Sequence, residues 1–189
     1  MQKIITYSAI VLLLAMSLKL WVVEGFIIPT RSMQPTLNVG DKLWINKWPF
    51  ISVKKGDIIA FNFPLDTREK YVKRCAAMSG DTLYDINGQY VLSPQNNTPL
   101  VVPKRGQIID LNASNFAFYQ PIIQRYEKTQ AGIIGDKMYI NNQIGHNYTF
   151  KQDYFYVLGD NPSDSYDSRN WGLVPAAYLI GKALFVTTP

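Results

Sequence analysis

The feature that most constrains this chain is an almost unbroken apolar stretch over residues 4–23, preceded by Lys3. At about 1.5 Å of rise per residue, some 20 apolar residues match the ~30 Å hydrocarbon core of a bilayer. A cleavable leader is the alternative, but its apolar region is shorter, about 7–15 residues, and no convincing small-residue cleavage site follows here. The pattern therefore predicts an uncleaved transmembrane anchor over residues 1–24. The charge of Lys3 favours an orientation with the remaining chain outside the cytoplasm.

The composition of the chain excludes several classes of protein. Hydrophobic residues make up 47% of the sequence, which is enough for a packed core. The net charge of +5 comes from scattered Lys and Arg residues, without the basic helix or aromatic–basic motif of a nucleic-acid binder, so nucleic acid is excluded as a partner. Cys75 is the only cysteine, which rules out an internal disulfide, and its apolar neighbours predict a buried structural thiol.

The single histidine, His146, limits the possible chemistry. It lies in a turn-like stretch, and no Glu or second His stands at a metal-ligand spacing from it. A hydrolase with a histidine-dependent triad would rest on this one residue. A different catalytic base therefore has to be considered.

Beyond Gly25 the sequence consists of short apolar runs separated by turn residues, which is typical of strands. Strands are predicted at residues 43–45, 57–61 and 70–74. Asn87-Gly88 predicts a tight hairpin, and residues 138–140 and 148–150 are expected to flank another. Residues 121–128 could form one short helix that begins at a proline.

These patterns predict a mostly β protein behind one membrane anchor. We expect a β core built from residues 25–81 and 154–189. A β-rich subdomain over residues 82–153 would be inserted into that core. The sequence predicts neither the oligomeric state nor the role of the insert.

Four segments carry residue types suited to chemistry: 28–37, 56–61, 71–81 and 159–172. The first holds Ser32 between Pro29 and Pro35, and these prolines keep the backbone out of a helix. The third places Lys73 on a predicted strand. Each segment alone is ordinary, because a loop serine, an edge lysine or a Gly-Asp-Asn turn is common. Their joint occurrence behind a membrane anchor favours a functional site.

Together the segments resemble the bacterial type I signal peptidase family. The family's nucleophile segment, S-x-S-M-x-P-T-L, is matched by residues 30–37 with threonine first. Its lysine segment, Y-x-K-R followed by a P-G-D turn, is similar to residues 71–81, with Ser79 in place of the proline. Its G-D-N-x-x-x-S-x-D-S-R-x-W-G segment is matched by residues 159–172.

The resemblance implies a role for eight residues of this chain. Ser32 would be the nucleophile and Lys73 the general base. The Thr30 hydroxyl and the Ser32 N–H would form the oxyanion hole, and Ser165 would orient the lysine amine. The residues expected to brace the site without doing chemistry are Arg74, Asp160, Asp167 and Arg169.

The implied chemistry requires Lys73 to be uncharged. A serine hydroxyl is a weak nucleophile until a base takes its proton, and an ammonium group cannot accept one. The ordinary lysine pKa is about 10.4, so a value of about 8 requires roughly 3 kcal/mol of bias against the charged form. Burial among apolar groups is expected to supply it.

The expected substrates are the signal peptides of exported preproteins, cleaved through an acyl-enzyme without a metal or organic cofactor. The expected partner surface is the lipid bilayer, with the catalytic part on the extracytoplasmic side of the inner membrane. Two alternatives remain open: a specialised serine–lysine peptidase for pilins or conjugation, and a non-catalytic, membrane-anchored β binding domain. Arg31, where the family often has a small residue, is expected to alter the substrate pocket or to contact lipid.

Overall fold

The computed structural model describes residues 7, 22–49, 51–86, 89–91 and 99–188, and this part of the chain is mostly β. The strands in chain order are β1 (Val23–Ile27), β2 (Lys42–Asn46), β3 (Ile58–Asn62), β4 (Lys70–Met78), β5 (Thr82–Ile86), β6 (Gln89–Val91), β7 (Pro99–Val101), β8 (Ile108–Asp110), β9 (Ala131–Ile134), β10 (Lys137–Ile140), β11 (Gln143–Ile144), β12 (Asn147–Thr149), β13 (Tyr154–Leu158), β14 (Val174–Pro175) and β15 (Leu179–Thr187). The helices are α1 (Phe116–Arg125) and α2 (Ser168–Trp171), with 3₁₀ turns at Pro162–Asp164 and Ala176–Tyr178.

The main sheet has seven antiparallel strands in the order β1-β2-β15-β3-β4-β13-β14. The strands come from the two ends of the described sequence. The last strand along the chain, β15, lies between β2 and β3, because Lys182 is opposite both Asn46 and Ile59. The strands predicted at residues 43–45, 57–61 and 70–74 are confirmed as β2, β3 and the first half of β4.

Three smaller sheets are built from the strands between β4 and β13, in the orders β6-β5-β7, β12-β8 and β11-β10-β9. Strands β5 and β6 pair as predicted, although Asn87 and Gly88 lie outside the described residues. The second predicted hairpin is wrong. Strand β10 pairs with β9 and β11, while β12 pairs with the distant β8.

The predicted helix exists but begins earlier than its proline. It starts at Phe116 and contains Pro121 in its interior. The buried side chains along it are Phe116, Phe118, Tyr119, Ile122 and Ile123. These apolar residues recur at helical spacing, and their burial against the smaller sheets is favourable. The helix therefore begins before the proline.

Two apolar clusters support the parts of the main sheet that matter for the site. One consists of Ile28, Met33, Leu37, Leu43, Ile45 and Ala60, and it lies at the loop between β1 and β2. The other includes Cys75, which is fully buried, and burial raises the pKa of its thiol to about 12. The prediction of a buried structural thiol is therefore confirmed.

The predicted membrane anchor falls almost entirely outside the described residues. Among the residues that are described, no helix is both long and apolar enough to span a bilayer. The last two residues of the predicted anchor, Val23 and Glu24, already belong to β1. Glu24 forms ion pairs with Lys47 and Lys70 at that end of the sheet.

Candidate active site

Ser32 lies on the loop that joins β1 to β2, and apolar side chains hold this loop in place. Met33 and Leu37, on the same loop, are 1% and 0% exposed. The N–H of Leu37 donates to the carbonyl oxygen of Met33 at 2.9 Å, so the loop is also closed by its own backbone. Ser32 itself is only 6% exposed. A small polar side chain is thus held at the surface of an apolar cluster.

Lys73 is buried because of the alternation of β4. Side chains in a strand point alternately to opposite faces, and the buried positions of β4 are Lys73, Cys75 and Ala77. The lysine therefore shares its face with two small apolar residues and is 4% exposed. Its amine lies 5.6 Å from the centre of the Tyr71 ring. The strand pattern places a cation where water does not reach it easily.

The two side chains meet directly. Lys73 Nζ lies 2.6 Å from Ser32 Oγ, within hydrogen-bond distance. The hydroxyl of Thr30 donates to the same Ser32 oxygen at 3.2 Å. The structure thus brings together the three side chains that the sequence proposed for the centre of the site.

Burial lowers the pKa of the Lys73 amine to about 8, because desolvation disfavours the ammonium form. The nearby carboxylates Asp167 and Asp160 act in the opposite direction, and Arg169 adds to the lowering. The value lies in the range that the sequence argument required. A useful fraction of the amine is uncharged just above neutral pH.

Asp167 organises the loop that faces the Ser32–Lys73 dyad. It is fully buried and caps the N-terminus of α2, with Arg169 as a bidentate partner at 2.8 and 2.7 Å. The Gly159 N–H and the Ser165 hydroxyl also donate to it, at 2.9 and 2.7 Å. Burial alone would raise the pKa of this carboxyl, but these hydrogen bonds keep the pKa below its ordinary value. The carboxylate is a charged centre around which residues 159–169 are arranged.

Asp160 forms the second ion pair of the site, with Arg74. The guanidinium contacts both carboxylate oxygens, with Nε–Oδ1 at 2.7 Å and Nη2–Oδ2 at 2.5 Å. Arg74 also donates to the carbonyl oxygen of Gly56 at 2.7 Å. Burial would raise the pKa of Asp160, and Arg74 lowers it overall. This pair joins the strand that carries Lys73 to the loop at residue 160.

Ser165 is near the dyad but has a different partner from the one expected. Its hydroxyl donates to Asp167, and within the described residues it makes no hydrogen bond to Lys73. It lines the same groove as Ser32 and Lys73. The orienting role of Ser165 therefore stays a prediction.

Two residues of the site were not given a role from the sequence: Asn161 and Gly159. The Asn161 N–H donates to the Ser32 carbonyl oxygen at 3.1 Å, and its side-chain Nδ2 donates to the Arg31 carbonyl oxygen at 3.2 Å. The position of Asn161 directly after Gly159-Asp160 was the available signal. A motif of this kind identifies the loop, but it does not say which backbone oxygen an amide will reach.

A groove of about 780 Å³ leads to the dyad. One wall is formed by the end of β1 and the residues after it, the other by the start of β4 and the residues at 163–166. Strand β4 pairs with β3 along Lys70–Arg74, but β13 pairs with β4 only from Arg74 onward. Within the described residues β1 pairs only with β2. Both walls therefore present unpaired strand edges to the groove.

Comparison with known proteins identifies the family. The family model described as "Signal peptidase, peptidase S26" matches residues 1–188. Signal peptidase I of Aquifex aeolicus (strain VF5) is 26% identical over 217 residues, covering 98% of this chain and 84% of the relative. Signal peptidase I of Leptolyngbya laminosa is 30% identical over 182 residues, covering 90% and 71%. A crystal structure of a signal peptidase I from Enterococcus faecalis V583 is 20% identical, covers 71% of this chain and 98% of that chain, and has a TM-score of 0.34. The chain therefore belongs to the signal peptidases of peptidase family S26.

Proposed function

We propose that this peptidase removes N-terminal signal peptides from exported preproteins, with Ser32 as nucleophile and Lys73 as general base. The observation that carries the proposal is the 2.6 Å contact between a buried amine and a buried hydroxyl at the groove. Family membership favours this function over a non-catalytic binding domain.

The proposed reaction has two steps. Lys73 takes the Ser32 proton while Ser32 Oγ attacks the carbonyl carbon of the scissile bond, and the resulting ammonium gives that proton to the departing amine. An ester between Ser32 and the signal peptide remains. Lys73 then takes a proton from water, the hydroxide attacks the ester, and the ammonium returns a proton to Ser32.

The charge that develops on the substrate oxygen needs hydrogen-bond donors. We assign this role to the Thr30 hydroxyl and the Ser32 N–H. The hydroxyl lies 3.2 Å from Ser32 Oγ. The Ser32 N–H donates to no group in the part of the chain that the structure describes, so it is available to a substrate oxygen.

The surrounding residues are proposed to hold the dyad. The Ser165 hydroxyl donates a hydrogen bond to Asp167. Its oxygen can still accept from the ammonium that Lys73 becomes after proton transfer. The pairs Asp167–Arg169 and Arg74–Asp160 fix the loop and the strand on either side of it.

The substrate is proposed to bind as an extended strand between the edges of β1 and β4. Backbone groups would give affinity, and the side chains facing the walls would have to be small, as in the A-x-A pattern of signal-peptide cleavage sites. The groove supports this proposal because both of its long walls are strand edges.

We further propose that the apolar segment preceding β1 anchors the chain in the inner membrane and leaves the catalytic part outside the cytoplasm. Exposed apolar side chains on β15 and on the loop after β2 support contact with lipid: Trp48, Leu184 and Phe185 are 43%, 50% and 55% exposed. Burial of such side chains in a bilayer is favourable. Residues 25–81 and 154–189 would form the catalytic core and 82–153 the insert, in line with the separate sheets.

The test uses the full chain in detergent with a purified preprotein. Ser32→Ala and Lys73→Ala are each expected to lower kcat by at least about 10³-fold, since each removes one half of the reacting pair. Circular dichroism and thermal unfolding would show that both variants remain folded. If both variants still cleave the preprotein at the wild-type rate, the assignment of the dyad is wrong.

A further inference from the structure

A second cavity, of about 640 Å³, adjoins the groove on the far side of Thr30. It shares Pro29, Thr30 and Asp164 with the groove. It continues along the loop that joins β1 to β2, past Arg31, Gln34 and Asn38. Where the walls of the groove are strand edges, this cavity is lined mainly by polar side chains.

Arg31 has a fixed backbone and a free side chain. Its carbonyl oxygen accepts from Asn161 Nδ2 at 3.2 Å and from the Gln34 N–H at 3.0 Å. The guanidinium is exposed and, within the described residues, has neither an ion-pair nor a hydrogen-bond partner. An arginine guanidinium forms strong, charge-assisted hydrogen bonds with a carboxylate, often two in parallel. Here it precedes the nucleophile by one residue, a Cα–Cα step of about 3.8 Å.

We propose that Arg31 and this cavity bind the first residues of the mature protein and favour an acidic side chain there. The inference rests on the proposed cleavage by Ser32. The part of the substrate that becomes the ester occupies the groove, so the part that departs needs a separate exit from the dyad. The cavity along Arg31 shares three lining residues with the groove, among them Thr30, which is proposed for the oxyanion hole. The favoured substrates are preproteins with Asp or Glu at one of the first few positions after the scissile bond.

Asp164 lies at the shared boundary of the two cavities and carries the opposite charge. It disfavours an acidic residue at the boundary and directs the preference to positions next to Arg31. Asp164→Asn is therefore expected to increase cleavage of acidic substrates further.

The experiment measures kcat/KM of the full chain in detergent on peptides that differ only in Glu, Gln or Lys at the first, second or third position after the scissile bond. The wild type is expected to prefer Glu to Gln by about two- to fivefold at one of these positions, as for an exposed ion pair. High salt should reduce this preference. Arg31→Gln should abolish it, and Arg31→Glu should replace it with a preference for Lys. Arg105→Gln, an exposed arginine that lines neither cavity, should retain it.

Circular dichroism and thermal unfolding would show that Arg31→Gln is folded, and the ratio of kcat/KM for the Glu and Gln peptides within this variant gives its preference whatever its overall rate. Equal cleavage of all peptides by the active wild type, or a Glu preference that survives Arg31→Gln, would overturn the inference and leave the proposed function in place. If Ser32→Ala cleaves the peptides as well as the wild type, the proposed function itself fails.

Discussion

Gly159 lies directly against Ser165 and the carbonyl group of Ser32, with no room for a side chain between them. A Cβ atom at position 159 would be 2.5 Å from the Ser32 carbonyl oxygen and would collide with the Ser165 side chain. The Gly159 N–H at the same time donates to Asp167. The absence of a side chain at this position therefore allows three parts of the site to meet.

Gly159→Ala is expected to lower kcat/KM by at least about tenfold, because the Ser32 loop or Ser165 must move to admit the methyl group, and a misplacement of about 1 Å can cost about 10²-fold in rate. The measurement is preprotein cleavage by the full chain. Gly132→Ala is the matched control, since a Cβ atom there meets nothing within 4 Å. Equal activity of the two variants would show that the close approach at Gly159 is unimportant.

The rate of cleavage is expected to depend on the protonation of Lys73. Only the uncharged amine can take the Ser32 proton, so kcat/KM should rise about tenfold per pH unit below the pKa of about 8 and become level above it. The profile would be measured on a short peptide substrate between pH 6 and pH 10. A profile that is flat across pH 7–9 would contradict the assignment of Lys73 as the base.

Removing the buried amine is expected to stabilise the fold. The pKa of Lys73 is lowered from 10.5 to about 8 in the folded protein, so this group contributes stability that increases as pH rises between those values and is least favourable below pH 8. Lys73→Met should therefore raise the free energy of unfolding at pH 7 by about 1–2 kcal/mol while abolishing activity. The gain should shrink toward pH 10.

Urea unfolding of the wild type and Lys73→Met at pH 7 and pH 9.5 provides the measurement. Lys137→Met, at an exposed position of β10, is the control and should show neither the gain nor its pH dependence. If Lys73→Met is less stable than the wild type at pH 7, the inference that burial of the Lys73 amine costs stability is wrong.

Asp167→Asn is expected to reduce both stability and the pKa of Lys73. The amide leaves the Arg169 guanidinium without its charged partner, which costs about 2–4 kcal/mol of unfolding free energy in a mostly buried setting. Because the Asp167 carboxylate raises the pKa of Lys73, its removal should also shift the rising limb of the pH–rate profile to lower pH. Thermal unfolding and the pH profile together test this prediction.

Asp66→Asn is the matched control, because Asp66 pairs with an arginine that is 89% exposed. This substitution should change stability little, since solvent and salt screen exposed pairs. If the two Asp→Asn variants lose the same stability, the central position of Asp167 in the site is not supported.

The sequence was informative where local pattern determines structure. The strand predicted over residues 70–74 is the first half of β4, and the prediction that Cys75 is buried holds in the same strand. Long-range pairing was not predictable from such patterns. Strand β12 has the alternation of a hairpin partner for β10, yet it pairs with β8, because many antiparallel partners satisfy a short alternating strand equally well.

In the site, too, local motifs were informative and contacts between distant segments were not predictable. The motifs placed Ser32, Lys73 and Thr30 in one site, because Ser32 and Lys73 are the expected residues in their segments and Thr30 supplies a hydroxyl where the family motif has serine. They did not predict that Ser165 would donate to Asp167, or that Asn161 would donate to the carbonyl oxygens of Arg31 and Ser32. These contacts depend on where two loops distant in sequence pass each other, and single side chains can choose among several acceptors there.

The strand that supplies the amine is also the one whose edge is left open when β13 diverges at Arg74. A peptide laid along that edge would be held in the same rigid element as the base, so the alignment of its backbone would decide which bond faces Ser32. Sliding by one residue turns every side chain to the opposite side, and sliding by two moves the chain about 6.6 Å. The first and third residues before the cut would then point to the same wall of the groove, so one wall would limit the size of both side chains.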